Sequence, residues 1–79
     1  MSTVVVTGGA GGIGMAICRR VVEAGHLAVA ADVAVAIEAH GGAEVPGVSF
    51  IEMDVTDRAS IEQAVASIVA DGHTVTGLV

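Results

Sequence analysis

The chain has no lysine, and its three arginines face nine acidic residues, for a formal net charge of −6. A phosphate backbone would meet repulsion over most of such a surface, so nucleic acid is excluded as a partner class. A single cysteine, Cys18, leaves no internal disulfide and no second thiolate for a metal pair. No apolar run approaches the ~20 residues that span a bilayer. Strand-like residues begin at Thr3 with no basic lead-in and no apolar signal core. A soluble protein of a reducing compartment, cytoplasmic and with no membrane partner, is expected.

Apolar side chains, by contrast, are in excess. They make up 53% of 79 residues, above the roughly 45–50% of soluble domains. A chain this short buries only about 60–65% of the surface its unfolded form exposes. Something further should therefore cover part of it, and residues 1–79 read as one segment of a truncated, larger domain.

Punctuation along the chain is regular. Thr3-Val4-Val5-Val6-Thr7 is a β-branched run that stops at glycines and reads as a buried strand. From Ile13, apolar residues recur at Ala16, Ile17, Val21 and Ala24 with helical spacing, and Gly25 supplies the stop. Leu27 to Ala31 is a second buried strand ending at Asp32. Ala34 to His40 reads as a short helix closed by Gly41-Gly42. Pro46-Gly47 marks a turn before a third strand, Val48 to Glu52. Thr56 or Asp57 can cap a last helix with the stripe Ile61, Ala64, Val65, Ile68 and Val69. Gly72 ends it, and Thr74 to Val79 is a fourth strand; the turns Gly25-His26 and Gly72-His73 resemble each other.

Strand–helix alternation with continuous apolar strands predicts an α/β fold, a parallel sheet covered by helices on both faces. Right-handed crossovers favour the Rossmann-type doubly wound arrangement, with strand order 3-2-1-4 for β-α-β-α-β-α-β.

The glycine run between the first strand and first helix is where chemistry is expected. A helix N-terminus offers unpaired N–H groups and partial positive charge, and glycines let a pyrophosphate approach the backbone. No lysine follows Gly14, so the Gly-Lys-Ser/Thr pattern of P-loop proteins is not met. Gly9, Gly11 and Gly14 fit G-x-G-x-x-G, while Gly8, Gly12 and Gly14 fit T-G-x-x-x-G-x-G from Thr7. Asp32 follows Gly14 by 18 residues at the end of the second strand, where an acid accepts hydrogen bonds from the adenosine ribose. A cap for the next helix is its other possible role. Its charge also opposes a 2′-phosphate, by about 4 kcal/mol at ~4 Å and an effective dielectric of about 20. No basic residue in the loop or beside Asp32 offsets it, so NAD is expected rather than NADP.

Thr7-Gly8-Gly9-Ala10-Gly11-Gly12-Ile13-Gly14 resembles the cofactor signature of the short-chain dehydrogenases/reductases. Met53-Asp54-Val55-Thr56-Asp57 is similar to that family's segment after the third strand, and Thr76-Gly77-Leu78-Val79 to its fourth strand. The resemblance implies that Gly8, Gly11, Gly12, Ile13 and Gly14 hold the pyrophosphate side of NAD, with Asp32 and Val33 at the ribose. It also implies that Asp54 meets the adenine amino group and Val55 lies along the ring. The family's Asn-Asn-Ala-Gly turn, its catalytic serine and its Tyr-x-x-x-Lys pair lie beyond Val79, and this chain has neither tyrosine nor lysine. No catalytic residue is therefore assigned within it.

The activity so implied is hydride transfer between nicotinamide and a small alcohol or carbonyl substrate, by a homo-oligomer when complete. Two alternatives stay open. One is the extended branch of the family, acting on nucleotide sugars, whose T-G-x-x-G-x-x-G is met by Gly8, Gly11 and Gly14. The other is a non-catalytic NAD-binding module. His26, His40 and His73 read as helix-end or surface residues, Cys18 as a buried structural thiol, Arg19-Arg20 as a solvated patch, and Glu52 as solvent-facing.

Overall fold

A computed structural model describes residues 2–40 and 45–79. Its elements are β1 (Ser2–Thr7), α1 (Gly12–Glu23), β2 (Leu27–Asp32), α2 (Ala34–Ala39), β3 (Val48–Glu52), α3 (Arg58–Ala70) and β4 (Thr74–Leu78). The strands form one sheet in the order β3-β2-β1-β4, and every pairing is parallel. This is the doubly wound arrangement. The expected Gly41-Gly42 stop lies outside the described residues.

Helices cover both faces because β1 and β2 carry apolar side chains on both. On one face Ala64 and Ile68 of α3 pack with Val5, Val29, Ala31 and Met53. On the other face Met15 and Cys18 of α1 pack with Val6, Ala28 and Ala30. Burial pushes the Cys18 thiol pKa up, in keeping with a structural residue.

Two apolar stripes differ from expectation. The side of α1 that packs on the sheet is Gly14, Met15 and Cys18, while Ile13 is 83% exposed and Ala16 and Ala24 are exposed. The helix is apolar on two neighbouring sides, so spacing alone could not choose between them. On α3 only Ala64 and Ile68 are buried, and Val65 and Val69 remain 48% and 60% exposed. These two valines, with Val55, Val75 and Leu78, line an apolar groove of about 370 Å³ between α3 and β4.

The matching helix-to-strand turns share one construction. Gly25 and Gly72 are left-handed (φ 91° and 85°). Gly25 N–H donates to Val22 O and His26 N–H to Val21 O, at 3.0 and 3.2 Å. Gly72 to Val69 and His73 to Ile68 repeat the pattern at 3.0 and 3.4 Å. This is the Schellman closure. Both histidines then turn back onto the first residues of β1. His73 Nδ1 lies 2.8 Å from Oγ1 of the fully buried Thr3, and His26 Nδ1 lies 3.2 Å from Ser2 Oγ. They are bolts at the amino end of the sheet, remote from the glycine loop.

Candidate nucleotide-binding site

All parallel strands deliver their carboxyl ends to one edge of the sheet, and the glycine loop leaves β1 at that edge beside the end of β2. Gly9 N–H donates to Ala31 O at 3.3 Å, and Gly11 N–H to Gly8 O at 3.2 Å. The loop has no slack. A Cβ on Gly9 would lie 2.7 Å from Ala30 Cα, and one on Gly14 only 2.0 Å from Gly8 O. These two glycines are required by the fold itself. Gly11 and Gly12 are not. A Cβ at Gly11 meets its nearest atom at an ordinary 3.6 Å, and one at Gly12 meets nothing within 4 Å.

The N-terminus of α1 is equally open. Its cap residue, Gly11, provides no side chain. The first bond into the helix is Met15 N–H to Gly11 O, at 2.8 Å. Among the described residues, the N–H groups of Gly12, Ile13 and Gly14 have no acceptor. The contrast with α3 is direct, since there the Asp57 carboxylate accepts from Ala59 and Ser60 N–H. That settles the Thr56 or Asp57 alternative for Asp57. It also means that α3 carries its own anion while α1 offers its N–H groups to one from outside.

Asp32 belongs to the loop and not to α2. Its Oδ2 accepts from Ala10 N–H at 3.2 Å, and its Oδ1 from Val33 N–H at 2.8 Å. The N-cap of α2 is Val33, with no side-chain bond, so the capping role considered for Asp32 is not the one it plays. Each carboxylate oxygen keeps a lone pair for a further donor. The carboxylate is thereby oriented beside the α1 N-terminus.

Asp54 and Val55 stand one strand further out. Met53 N–H donates to Asp32 O at 2.8 Å, which joins the ends of β2 and β3. Asp54 Oδ1 accepts from Thr56 Oγ1 at 2.6 Å and from Thr56 N–H at 2.9 Å. The Thr56 hydroxyl, then its N–H, hold the Asp54 carboxyl pKa below the ordinary value. Oδ1 is occupied in the turn, and Oδ2 remains for a ligand. Val33 and Val55 are both exposed, but Val55 lines the groove on the α3 side. The loop residues border the cleft between α1 and α2 on the opposite side. So Gly8, Gly11, Gly12, Ile13, Gly14 and Asp32 converge, with Val33 adjoining. Asp54 and Val55 follow Met53, whose N–H is bonded to Asp32 O, one strand further out.

Two contributors were not singled out from sequence. Ala10 orients Asp32 through its N–H. Thr7 Oγ1 donates to Val79 O at 2.7 Å and ties β1 to the end of β4. A backbone donor leaves no side-chain signature; the signal available for Thr7 was its place as first residue of the glycine motif.

The residues fit a dinucleotide: an open helix N-terminus, room above Gly12 that a side chain would fill, and an oriented acid beside it. Among the described residues, no helix is long and apolar enough to cross a membrane. The profile of the short chain dehydrogenase family matches residues 2–79. Among solved structures, gox2181 is 31% identical, with a TM-score of 0.81 over 98% of this chain and 32% of its own. A protein from Novosphingobium aromaticivorans described as a short-chain dehydrogenase is 27% identical, with a TM-score of 0.81 over 98% of this chain and 30% of its own. A short-chain dehydrogenase/reductase of the glucose/ribitol dehydrogenase type from Brucella melitensis is 25% identical, with a TM-score of 0.76 over 98% and 34%. No curated protein matches. The chain thus spans about a third of the length of these structures. On its fold, its glycine loop and the match over residues 2–79, the chain belongs to the short-chain dehydrogenase family.

Proposed function

We propose that this chain is the NAD-binding part of an oxidoreductase that moves a hydride between nicotinamide and a small alcohol or ketone. The observation that carries the proposal is the uncapped α1 N-terminus, with open space above Gly12 and the Asp32 carboxylate beside it. The N–H groups of Gly12, Ile13 and Gly14 hold the pyrophosphate, and the space at Gly11 and Gly12 lets it approach the backbone. Gly8 and Gly9 set the path of the loop. Asp32, oriented by Ala10, accepts from the ribose hydroxyls, and Val33 adjoins it. Asp54 Oδ2 accepts from the adenine amino group, with Val55 along the ring edge. The nicotinamide, when bound, accepts or supplies the hydride. No residue of this chain is assigned to acid–base chemistry, and substrate recognition belongs to the complete protein.

Preference for NAD over its 2′-phosphorylated form rests on Asp32. Its charge opposes a phosphate, and its oxygens pair with hydroxyls that the phosphorylated form lacks at that position. Titrating both cofactors against the complete protein and its Asp32→Ala variant tests this. The variant should lose roughly tenfold or more in NAD affinity, as expected for hydrogen bonds to a charged group, and discriminate less between the two. An unchanged NAD/NADP ratio would remove Asp32 from the site.

A further inference from the structure

Asp54 is exposed, yet it is held on almost every side by its own turn. Its backbone N–H donates to Ser60 Oγ at 2.9 Å, and its carbonyl accepts from Asp57 N–H at 3.0 Å. Its Oδ1 accepts from Thr56 Oγ1 at 2.6 Å and from Thr56 N–H at 2.9 Å. Only Oδ2 is left over among the described residues. The neighbouring charges are engaged elsewhere. The Asp57 carboxylate accepts from Ala59 and Ser60 N–H at 3.0 and 3.5 Å, and Arg58 pairs with Glu62 at 3.3 Å.

Ser60 is the unexpected member of this set. It is half-buried in the first turn of α3, where Asp57 already caps the helix and no second capping hydroxyl is needed. Its hydroxyl instead reaches back past the cap to the Asp54 N–H. The backbone of Asp54 is thereby tied to α3, while Thr56 stops the rotation of its carboxylate. The outcome is a single acceptor oxygen in a single place. A carboxylate free to turn would offer two oxygens over a range of positions.

That difference matters for the choice of base. A 6-aminopurine carries an amino donor beside a ring-nitrogen acceptor. A 6-oxopurine carries the reverse, a carbonyl acceptor beside a ring N–H. An acceptor that cannot move pairs with the amino group, but against the carbonyl it sets two acceptors face to face. An acceptor that can move shifts one ring position to the N–H and takes either base.

We propose that Ser60 and Thr56 are positioning residues which, by holding Asp54 still, make the site selective for a 6-aminopurine over a 6-oxopurine. This rests on the reading that Asp54 meets the adenine amino group, and deepens it. Selectivity of this kind comes from what is excluded as much as from what is bound.

The test titrates the complete protein and its variants by calorimetry with 5′-ADP and with 5′-IDP, in which a carbonyl replaces the 6-amino group. The unaltered protein should bind 5′-ADP roughly tenfold more tightly, as expected for a hydrogen bond to a charged group. Ser60→Ala should narrow the ratio to about threefold or less, chiefly by gaining affinity for 5′-IDP. Adding Thr56→Val should bring it close to one. Ser60→Thr keeps the hydroxyl and should keep the ratio. Equal weakening of both nucleotides in Ser60→Ala would give the serine a merely structural role and overturn the proposal. So would an unchanged ratio in the double variant, or a ratio lost in Ser60→Thr as fully as in Ser60→Ala. Asp54→Asn separates this proposal from the reading beneath it, because a carboxamide can donate to the 6-carbonyl. A ratio lost there but kept in Ser60→Ala would leave Asp54 at the adenine and remove Ser60. A ratio kept in Asp54→Asn, or no binding of 5′-ADP to the unaltered protein, would remove the adenine contact itself, and this proposal with it.

Discussion

Replacing Gly14 by alanine would set a methyl group against the backbone of its own loop. The added carbon would lie 2.0 Å from Gly8 O, 2.7 Å from Gly8 C and 2.7 Å from Gly9 Cα. Carbon–oxygen contacts settle near 3.3–3.6 Å, so the loop or the helix must retreat by roughly 1 Å or more. Neither is free to do so. Gly8 O accepts from Gly11 N–H, and Gly9 N–H is bonded to Ala31 O on β2. Overpacking of this kind costs about 1–3 kcal/mol, against which alanine regains only about 0.5–1 kcal/mol of helix propensity. The net loss should be on the order of 1–2 kcal/mol, with a drop in nucleotide affinity because the shifted atoms are those proposed to cradle the pyrophosphate. Gly12→Ala is the control. Its methyl meets nothing within 4 Å, so stability should stay within about 0.5 kcal/mol of the unaltered protein while NAD affinity falls by about tenfold. Urea denaturation followed by circular dichroism reads the first quantity, and calorimetric titration with NAD the second. A Gly14→Ala protein that unfolds and binds like the original would refute the steric argument. A Gly12→Ala protein with full affinity would show that no ligand uses the open space.

Other consequences follow from single contacts. Thr56→Val removes the hydroxyl bond that contributes most to lowering the Asp54 pKa, so the carboxyl should titrate closer to its ordinary value in a carbon-13 NMR titration. Because that pKa is lowered in the fold, its contribution is complete above the ordinary carboxylate range and fades as pH falls through the lowered pKa. The variant should therefore lose less stability on acidification, and an unmoved titration would contradict the Thr56 bonds. Thr3→Val keeps the shape of a fully buried residue but strips His73 Nδ1 of its 2.8 Å partner, at a cost of about 1–3 kcal/mol in urea unfolding; an unchanged midpoint would mean that the contact is idle. Residues 1–79 alone should self-associate and show no NADH turnover, since the groove at Val65 and Val69 and the free edge of β4 are uncovered. A sharp monomer peak in size-exclusion chromatography, or turnover on a carbonyl panel, would contradict this.

Element order, strand order and the position of the glycine loop were legible because each depends on local signals. Apolar runs end at Gly8, Asp32 and Glu52, and Gly25 and Gly72 stop helices. What was not legible depended on three-dimensional neighbours. Ile13 and Met15 are two residues apart, about 200° around the helix, and only the sheet beneath α1 decides which is buried. Val65 and Val69 fall on the predicted stripe of α3, yet the sheet there ends at β4 and cannot cover them. The glycines looked alike in sequence. Only the distances to Ala30 and Gly8 separate those the fold needs, Gly9 and Gly14, from those it leaves open, Gly11 and Gly12. Arg19 and Arg20 read as one solvated patch, but consecutive helical residues point about 100° apart, so Arg19 borders the cleft toward α2 and Arg20 the outer side of α1.

A crystal structure of the complete protein grown with NAD tests the site most directly. We expect the pyrophosphate on the N–H groups of Gly12, Ile13 and Gly14, the ribose hydroxyls on the Asp32 carboxylate, and the adenine beside Asp54. A dinucleotide bound with its pyrophosphate away from the α1 N-terminus, or with Asp32 out of reach of the ribose, would contradict the assignment.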